Sequence, residues 1–145
     1  MYKMKILHIT TYLQGGAGKV ITDLAKASLH KGHSVSVACT KKSVGGYGNY
    51  PQHIETLNQN QIPIIFLDSS FSRESEKKRK ASKTIRSNIN KEFPNLIHSH
   101  SSIPSLIGLE ATLKLKRKVP IVHTMHGWGI FKTEEQEHQD IEILN

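Results

Sequence analysis

The sequence predicts an α/β domain built on a doubly wound parallel sheet with strand order 3-2-1-4-5. Three observations carry that reading: short β-branched runs alternate with segments of helical period, a glycine-rich turn follows the first run, and histidine-bearing turns follow the fourth and fifth. Lys5 to Thr10, KILHIT, is brief, apolar and β-branched, as a buried parallel strand should be. From Lys19 to His30, residues Val20, Ile21, Leu24, Ala25 and Ala27 fall on helical spacing, and Lys31-Gly32 gives a positive last turn and a glycine stop. His33 to Thr40 is the second strand. Strand, glycine turn, helix and strand therefore fit one βαβ unit, whose strands run parallel.

Lys41 to Tyr50 holds Gly45, Gly46 and Gly48 without helical period and reads as a loop suited to substrate contact. Pro51 opens a helix that His53 to Gln59 continue. Ile62 to Leu67 is the third strand, with Pro63 tolerated only at its beginning. Between Arg73 and Glu92 the apolar positions Ala81, Ile85 and Ile89 recur every fourth residue, so this helix docks by a thin stripe and exposes its first half. Leu96 to His98 is the fourth strand, Ile103 to Lys116 a helix with Pro104 in its first turn, and Val119 to Thr124 the fifth strand. From Glu134 the chain is acidic and helical, and it stops at Asn145 with no closing glycine or proline, as though cut.

At 145 residues and 37% hydrophobic content the chain, residues 1–145, fits one domain with a single core. No run approaches the roughly 20 apolar residues of a bilayer span, and the N-terminus lacks a long apolar signal core, so a cytoplasmic protein is expected. Cys39 is the only cysteine and ends an apolar run, the setting of an inert buried thiol. The net charge of +8 is uneven: from Arg73 to Glu92 eight basic residues face three acidic ones. A solvated face is the ordinary meaning of such a helix; peripheral contact with an anionic membrane surface through Lys77, Lys78, Arg79 and Lys80 is the functional one. Without interleaved aromatics or a reading motif, nucleic acid is not an expected partner.

Gln14 to Val20, QGGAGKV, leaves the first strand where glycines let a backbone approach a phosphate and a helix start favours negative charge. It is not a standard P-loop, because Leu13 stands at the first glycine position and Val20 at the Ser/Thr that would ligate magnesium. The variant loop of the partitioning and septum-positioning ATPases matches at GGAGK but lacks its signature lysine, here Gln14. A dinucleotide fingerprint lacks its third glycine, here Ile21. His98-Ser99-His100 puts two imidazoles on one side if the strand continues, and His123 and His126 flank the next turn. No carboxylate nearby completes an obvious metal set, and no metal site is expected. His8 and His123 read as satisfied core or supporting histidines.

Taken in order, KILHITTYLQGGAGKVITDLAKASLHKGHSVSVACT, PNLIHSHSSIPSLIGLEA and VPIVHTMHGWG resemble the N-terminal, acceptor-side domain of family 4 glycosyltransferases, one Rossmann-like half of the GT-B architecture. The resemblance covers nearly the whole chain. It implies a retaining transferase that moves a sugar from a nucleotide diphosphate to a carbohydrate or lipid-linked acceptor hydroxyl, in polysaccharide or glycolipid synthesis at the inner face of the membrane. The nucleotide sugar would be a co-substrate, with no resident cofactor. Gly15, Gly16 and Gly18 would approach the donor diphosphate or acceptor, His126 would act at the reaction centre, and His98 and His100 would line the acceptor side.

Lys19 falls at a variable family position and reads as a solvated lysine. Trp128 and Phe131 serve either as packing anchors or as a cover for a sugar face. The family's paired glutamates belong to a C-terminal donor-binding domain; Glu134 and Glu142 share their spacing but precede any such domain. Without that domain this chain should be inactive. The alternatives are a deviant P-loop ATPase, a metal-dependent hydrolase using the histidines, and a GT-B sugar-nucleotide epimerase.

Overall fold

A computed structural model of the protein describes residues 2–68 and 74–127. The elements are β1 (Lys5–Ile9), α1 (Gly15–His30), β2 (Ser34–Thr40), α2 (Pro51–Gln59), β3 (Ile64–Leu67), α3 (Ser75–Glu92), β4 (Leu96–His100), α4 (Ser102–Thr112) and β5 (Ile121–Thr124). Every strand pairing is parallel and the sheet order is β3-β2-β1-β4-β5, as the sequence predicts.

Both sheet faces are covered, which is why the strands read as nearly continuous apolar runs. On one face Leu7, Ile9 and Ile97 pack with Ala81, Ile85 and Ile89 of α3 and with Ile107 and Ala111 of α4. On the other, Val35, Val37 and Cys39 pack with Leu13, with Ile21 and Ala25 of α1 and with Leu57 of α2. Each fully buried Leu or Ile contributes about 1.5–3 kcal/mol. Arg86 ties the α3–α4 layer together: Nε donates to the Ala111 carbonyl at 3.0 Å and Nη2 to the Glu110 carbonyl at 3.0 Å. A basic residue here satisfies orphan acceptors in the last turn of α4.

The differences from the sequence reading lie at element ends. α1 begins at Gly15 rather than Lys19, so the glycines form its first turn instead of a loop before it. Gln14 is extended, Gly15 takes φ +55°, and Gly18 N–H already donates to the Gln14 carbonyl at 2.9 Å. Ile62 is buried but closes the turn after α2, while Pro63, lacking an N–H, lends β2 only its carbonyl, which Val37 N–H reaches at 3.0 Å. β4 continues to His100 because His98 pairs with Val122 and His100 with Thr124. β5 starts at Ile121, after Pro120, rather than at Val119. α4 stops at Thr112 rather than Lys116. The helix expected from Glu134, with Glu142, lies outside the described residues. No helix among the described residues is long and apolar enough to cross a membrane.

Candidate active site at the carboxyl end of the sheet

β1 and β4 are the neighbours at which the strand order reverses, and a crevice beyond their carboxyl ends is where doubly wound sheets receive ligands. A cavity of about 430 Å³ lies there, lined among others by Thr10, Tyr12, Gln14, Tyr47, Ser101 and Ser102. A second cavity, of about 490 Å³, opens at the opposite end beside Lys5, Ser34 and Lys91, away from the glycine turn and the histidines.

The loop after β2 is more organised than its composition suggests. Val44 and Tyr47 exchange N–H···O=C bonds at 2.9 Å in both directions, and Gly45 and Gly46 take the positive φ of a tight hairpin. Gln14 holds this hairpin over the glycine turn: Nε2 donates to the Gly46 carbonyl at 3.3 Å, and Oε1 accepts from Gly48 N–H at 3.2 Å. Asn49 fastens its base, accepting from Leu13 N–H at 2.8 Å and donating to the Thr40 carbonyl at 2.8 Å. These contacts bring Tyr47 to the crevice, and nothing in the sequence beyond the polar side chains themselves signals them.

The three glycines divide. Gly15 and Gly16 are exposed, with open space where a Cβ would sit. Gly18 is buried, and a Cβ there would lie 2.6 Å from the Leu13 carbonyl carbon and 2.8 Å from the His53 ring. Gly18 therefore lets α1 close against the chain that enters it. Lys19 is exposed and bonded to Asp23 at 2.7 Å, turned to a carboxylate of its own helix as an i,i+4 pair. Cys39 is fully buried, and desolvation pushes its thiol up to about 12, so no thiolate is available at neutral pH.

The histidines sort by strand alternation. His8 pairs in register with His98, so His8, His98 and His100 stand on one face, the face that Val37 shares. His123 pairs with Ser99 and points to the other face, where Ser105 of α4 joins it at Nδ1 and also reaches Ser99 Oγ at 2.8 Å. On the first face the rings form a ladder. His8 Nδ1 lies 3.1 Å from His100 Nε2, and His100 Nδ1 lies 3.0 Å from His126 Nε2. His98 stacks on His100 with ring centroids 4.2 Å apart and bonds Thr124 Oγ1 through Nε2 at 2.8 Å.

His100 is 0% exposed and His8 2%, His98 is half-buried, and His126 is exposed at the end of β5. His100 thus sits in the interior with both ring nitrogens engaged, while His126 is exposed just beyond the carboxyl end of β5. Burial, followed by the neighbouring His98, pushes His8 down to about 4. Burial, followed by His98, His8, His126 and His123, pushes His100 down to about 2. Burial is also the first cause lowering His98 and the cause lowering His126. All four imidazoles are neutral at pH 7.

His8, His98 and His100 each offer a ring nitrogen within 4.8 Å of the others, a spacing that a transition metal could bridge. The facing nitrogens of His8 and His100, however, already complement one another at hydrogen-bond distance, and the set contains no carboxylate or thiolate. Beside the ladder, Ser101 adopts φ +72° and ψ 168°, a region that favours glycine, with its N–H on the Thr124 carbonyl at 2.9 Å. Such strain costs about 1–3 kcal/mol and concentrates where a ligand is held. Trp128 and Phe131 lie outside the described residues.

A family profile for glycosyltransferase family 4 matches residues 14–142, while no curated protein matches the sequence. Among solved structures, a glycosyltransferase from Rickettsia africae is similar at TM-score 0.72 and 20% identity, over 99% of this chain and 35% of that one. Sucrose-phosphate synthase from Thermosynechococcus elongatus follows at 0.65 and 16%, over 98% and 39%. A Listeria monocytogenes protein assigned as a UDP-N-acetylglucosamine 2-epimerase gives 0.64 and 18%, over 99% and 38%. The chain thus spans little more than a third of the length of these structures. At such low identity the structural similarity shows a shared fold alone, the Rossmann-like sheet of one half of the GT-B architecture. The profile, which runs from the glycine turn through both histidine motifs, establishes the lineage: the chain belongs to glycosyltransferase family 4.

Proposed function

We propose that the chain is the acceptor-side half of a retaining glycosyltransferase, working with a second Rossmann-like domain that holds most of a nucleotide-diphosphate sugar. The observation that carries this reading is the convergence, in a family 4 chain, of the open Gly15-Gly16 turn, strained Ser101 and exposed His126 at the carboxyl ends of β1, β4 and β5. Backbone N–H groups at the start of α1 favour the donor diphosphate or a polar acceptor. Gly15 and Gly16 leave that approach open, and Gly18 sets the helix angle behind them. His126 meets the transferred sugar or its leaving oxygen, and His98 lies toward the acceptor.

In the proposed step the bond from the anomeric carbon to the diphosphate oxygen breaks as the acceptor oxygen bonds the same face of that carbon. The acceptor proton passes to the departing diphosphate. No protein nucleophile and no resident metal are required. Neutral donors aimed at the developing charge are the residue type this chemistry uses.

The test is product analysis with the full-length protein, a panel of nucleotide sugars, and carbohydrate or lipid-linked acceptors. Acceptor-dependent release of nucleoside diphosphate, with the anomeric configuration of the donor kept, is the expected result. Inversion would overturn the retaining step. Conversion of the donor to its epimer without transfer would replace the transferase reading with the epimerase one.

A further inference from the structure

Three imidazoles joined end to end cannot choose their protons independently. Each neutral ring carries one N–H and one bare nitrogen, so the contacts His8 Nδ1···His100 Nε2 and His100 Nδ1···His126 Nε2 admit two arrangements. In the first, His8 Nδ1–H donates to His100 Nε2, and His100 Nδ1–H donates to His126 Nε2. His126 then carries its own proton on Nδ1. In the second every proton is moved: His126 donates inward from Nε2, His100 donates to His8, and His8 must hold its proton on Nε2.

The buried end decides between them. Among the described residues His8 Nε2 has no hydrogen-bond partner, and it is shielded from solvent. The second arrangement would bury an orphan N–H there, whereas the first leaves only a bare acceptor. Orphaned buried donors are rarer in folded proteins than under-satisfied acceptors. We infer that His8 is a positioning residue which, through His100, fixes His126 as a neutral imidazole with its N–H on Nδ1.

This inference rests on the proposed role of His126 for its consequence and on geometry alone for its content. The consequence is that His126 can donate to an oxygen in the crevice but cannot serve there as a base. Protonation of His126 is resisted as well: its Nε2 lone pair already accepts from His100, so a proton added there forces His100 and then His8 to shift theirs toward the buried end. The titratable groups acting on these rings are other imidazoles, His98 beside them on β4 and His123 across the sheet, and both oppose added positive charge.

The test is ¹⁵N NMR of histidine-labelled protein across pH 5–8. His8, His100 and His126 are expected in the Nδ1–H form, the tautomer that free histidine disfavours. His8→Leu removes the donor and is expected to let the Nε2–H form of His126 grow and its titration move up toward that of an exposed histidine. His8→Asn places an amide N–H where Nδ1 stood and restores the wild-type pattern. Nε2–H on His126 in the wild-type protein, or a His126 spectrum unmoved by His8→Leu, would overturn the inference. Stoichiometric zinc on the purified protein, with its removal changing the His8 and His100 resonances, would overturn it too. Should His8→Leu fail to fold by circular dichroism, the wild-type tautomers decide alone. Correct tautomers together with an unimpaired His126→Ala enzyme would refute the proposed role of His126 and leave the chain of imidazoles standing.

Discussion

The two walls of the crevice differ in why their residues are there. On the β1–α1 side packing accounts for much of what the sequence shows: Gly18 is where α1 meets Leu13 and His53, and Gln14 and Asn49 fasten a neighbouring hairpin. On the side of the histidine ladder, which β4 and β5 share with His8 of β1, packing accounts for little. His8 and His100 occupy interior sites where an aliphatic side chain would need no hydrogen-bond partner, and His8 Nε2 has none among the described residues. A motif of glycines was thus partly structural, and a cluster of histidines that resembles core polarity is the more informative functional signal.

Acid should separate the walls most sharply. His8 and His100 have folded values of about 4 and about 2, below the ordinary 6.5, so the unfolded chain takes up their protons first. Stability is therefore full above pH 6.5 and declines from there toward pH 4, at roughly 1.4 kcal/mol per pH unit for each histidine. Because His98 and His126 are lowered as well, urea denaturation across that range should show a slope of at least two protons, smaller by about one in His8→Leu. A flat profile down to pH 5 would mean that the rings are charged or solvated.

Glycine substitutions come next. Gly18→Ala should cost about 2–3 kcal/mol, since a Cβ meets backbone 2.6 Å away, whereas Gly16→Ala, with open space, should stay within about 0.5 kcal/mol. Equal losses in denaturant unfolding would erase the distinction drawn within the turn. Ser101→Gly is smaller and opposite in sign. Relief of φ +72° should raise stability by about 1 kcal/mol, and the lost hydroxyl at the crevice should weaken substrate binding, seen as a raised KM.

The smallest effect concerns the far side of the molecule. Lys77 and Lys80 of the exposed first half of α3 form surface pairs to Glu74 at 2.8 Å and Asp68 at 3.3 Å, which anionic headgroups can displace. Cosedimentation with phosphatidylserine vesicles at low salt should fall severalfold when Lys77, Lys78, Arg79 and Lys80 become Ser, with the crevice unaffected. Binding indifferent to those changes would leave the segment as a solvated face.

The strands and their order were legible because buried parallel strands write themselves as short apolar runs and the βαβ connection constrains the rest. Element ends were less so. Helix α1 starts earlier than its apolar period, since Gly15 and Gly16 carry no side chain to mark the turn they make. The shared face of His98 and His100 followed from alternation once the strand reached His100. The place of His8 did not, because it depends on the register between β1 and β4, separated by more than 80 residues of sequence. Nor could the sequence show that Gly18 meets His53, a contact made by folding α2 against α1.

In the proposed function His126 is the group that touches substrate. In the full-length enzyme, His126→Ala is expected to lower kcat by about 10- to 1,000-fold, as loss of a donor to developing charge does, with its unfolding free energy within about 0.5 kcal/mol of wild type. Unchanged kcat in the folded variant would contradict it.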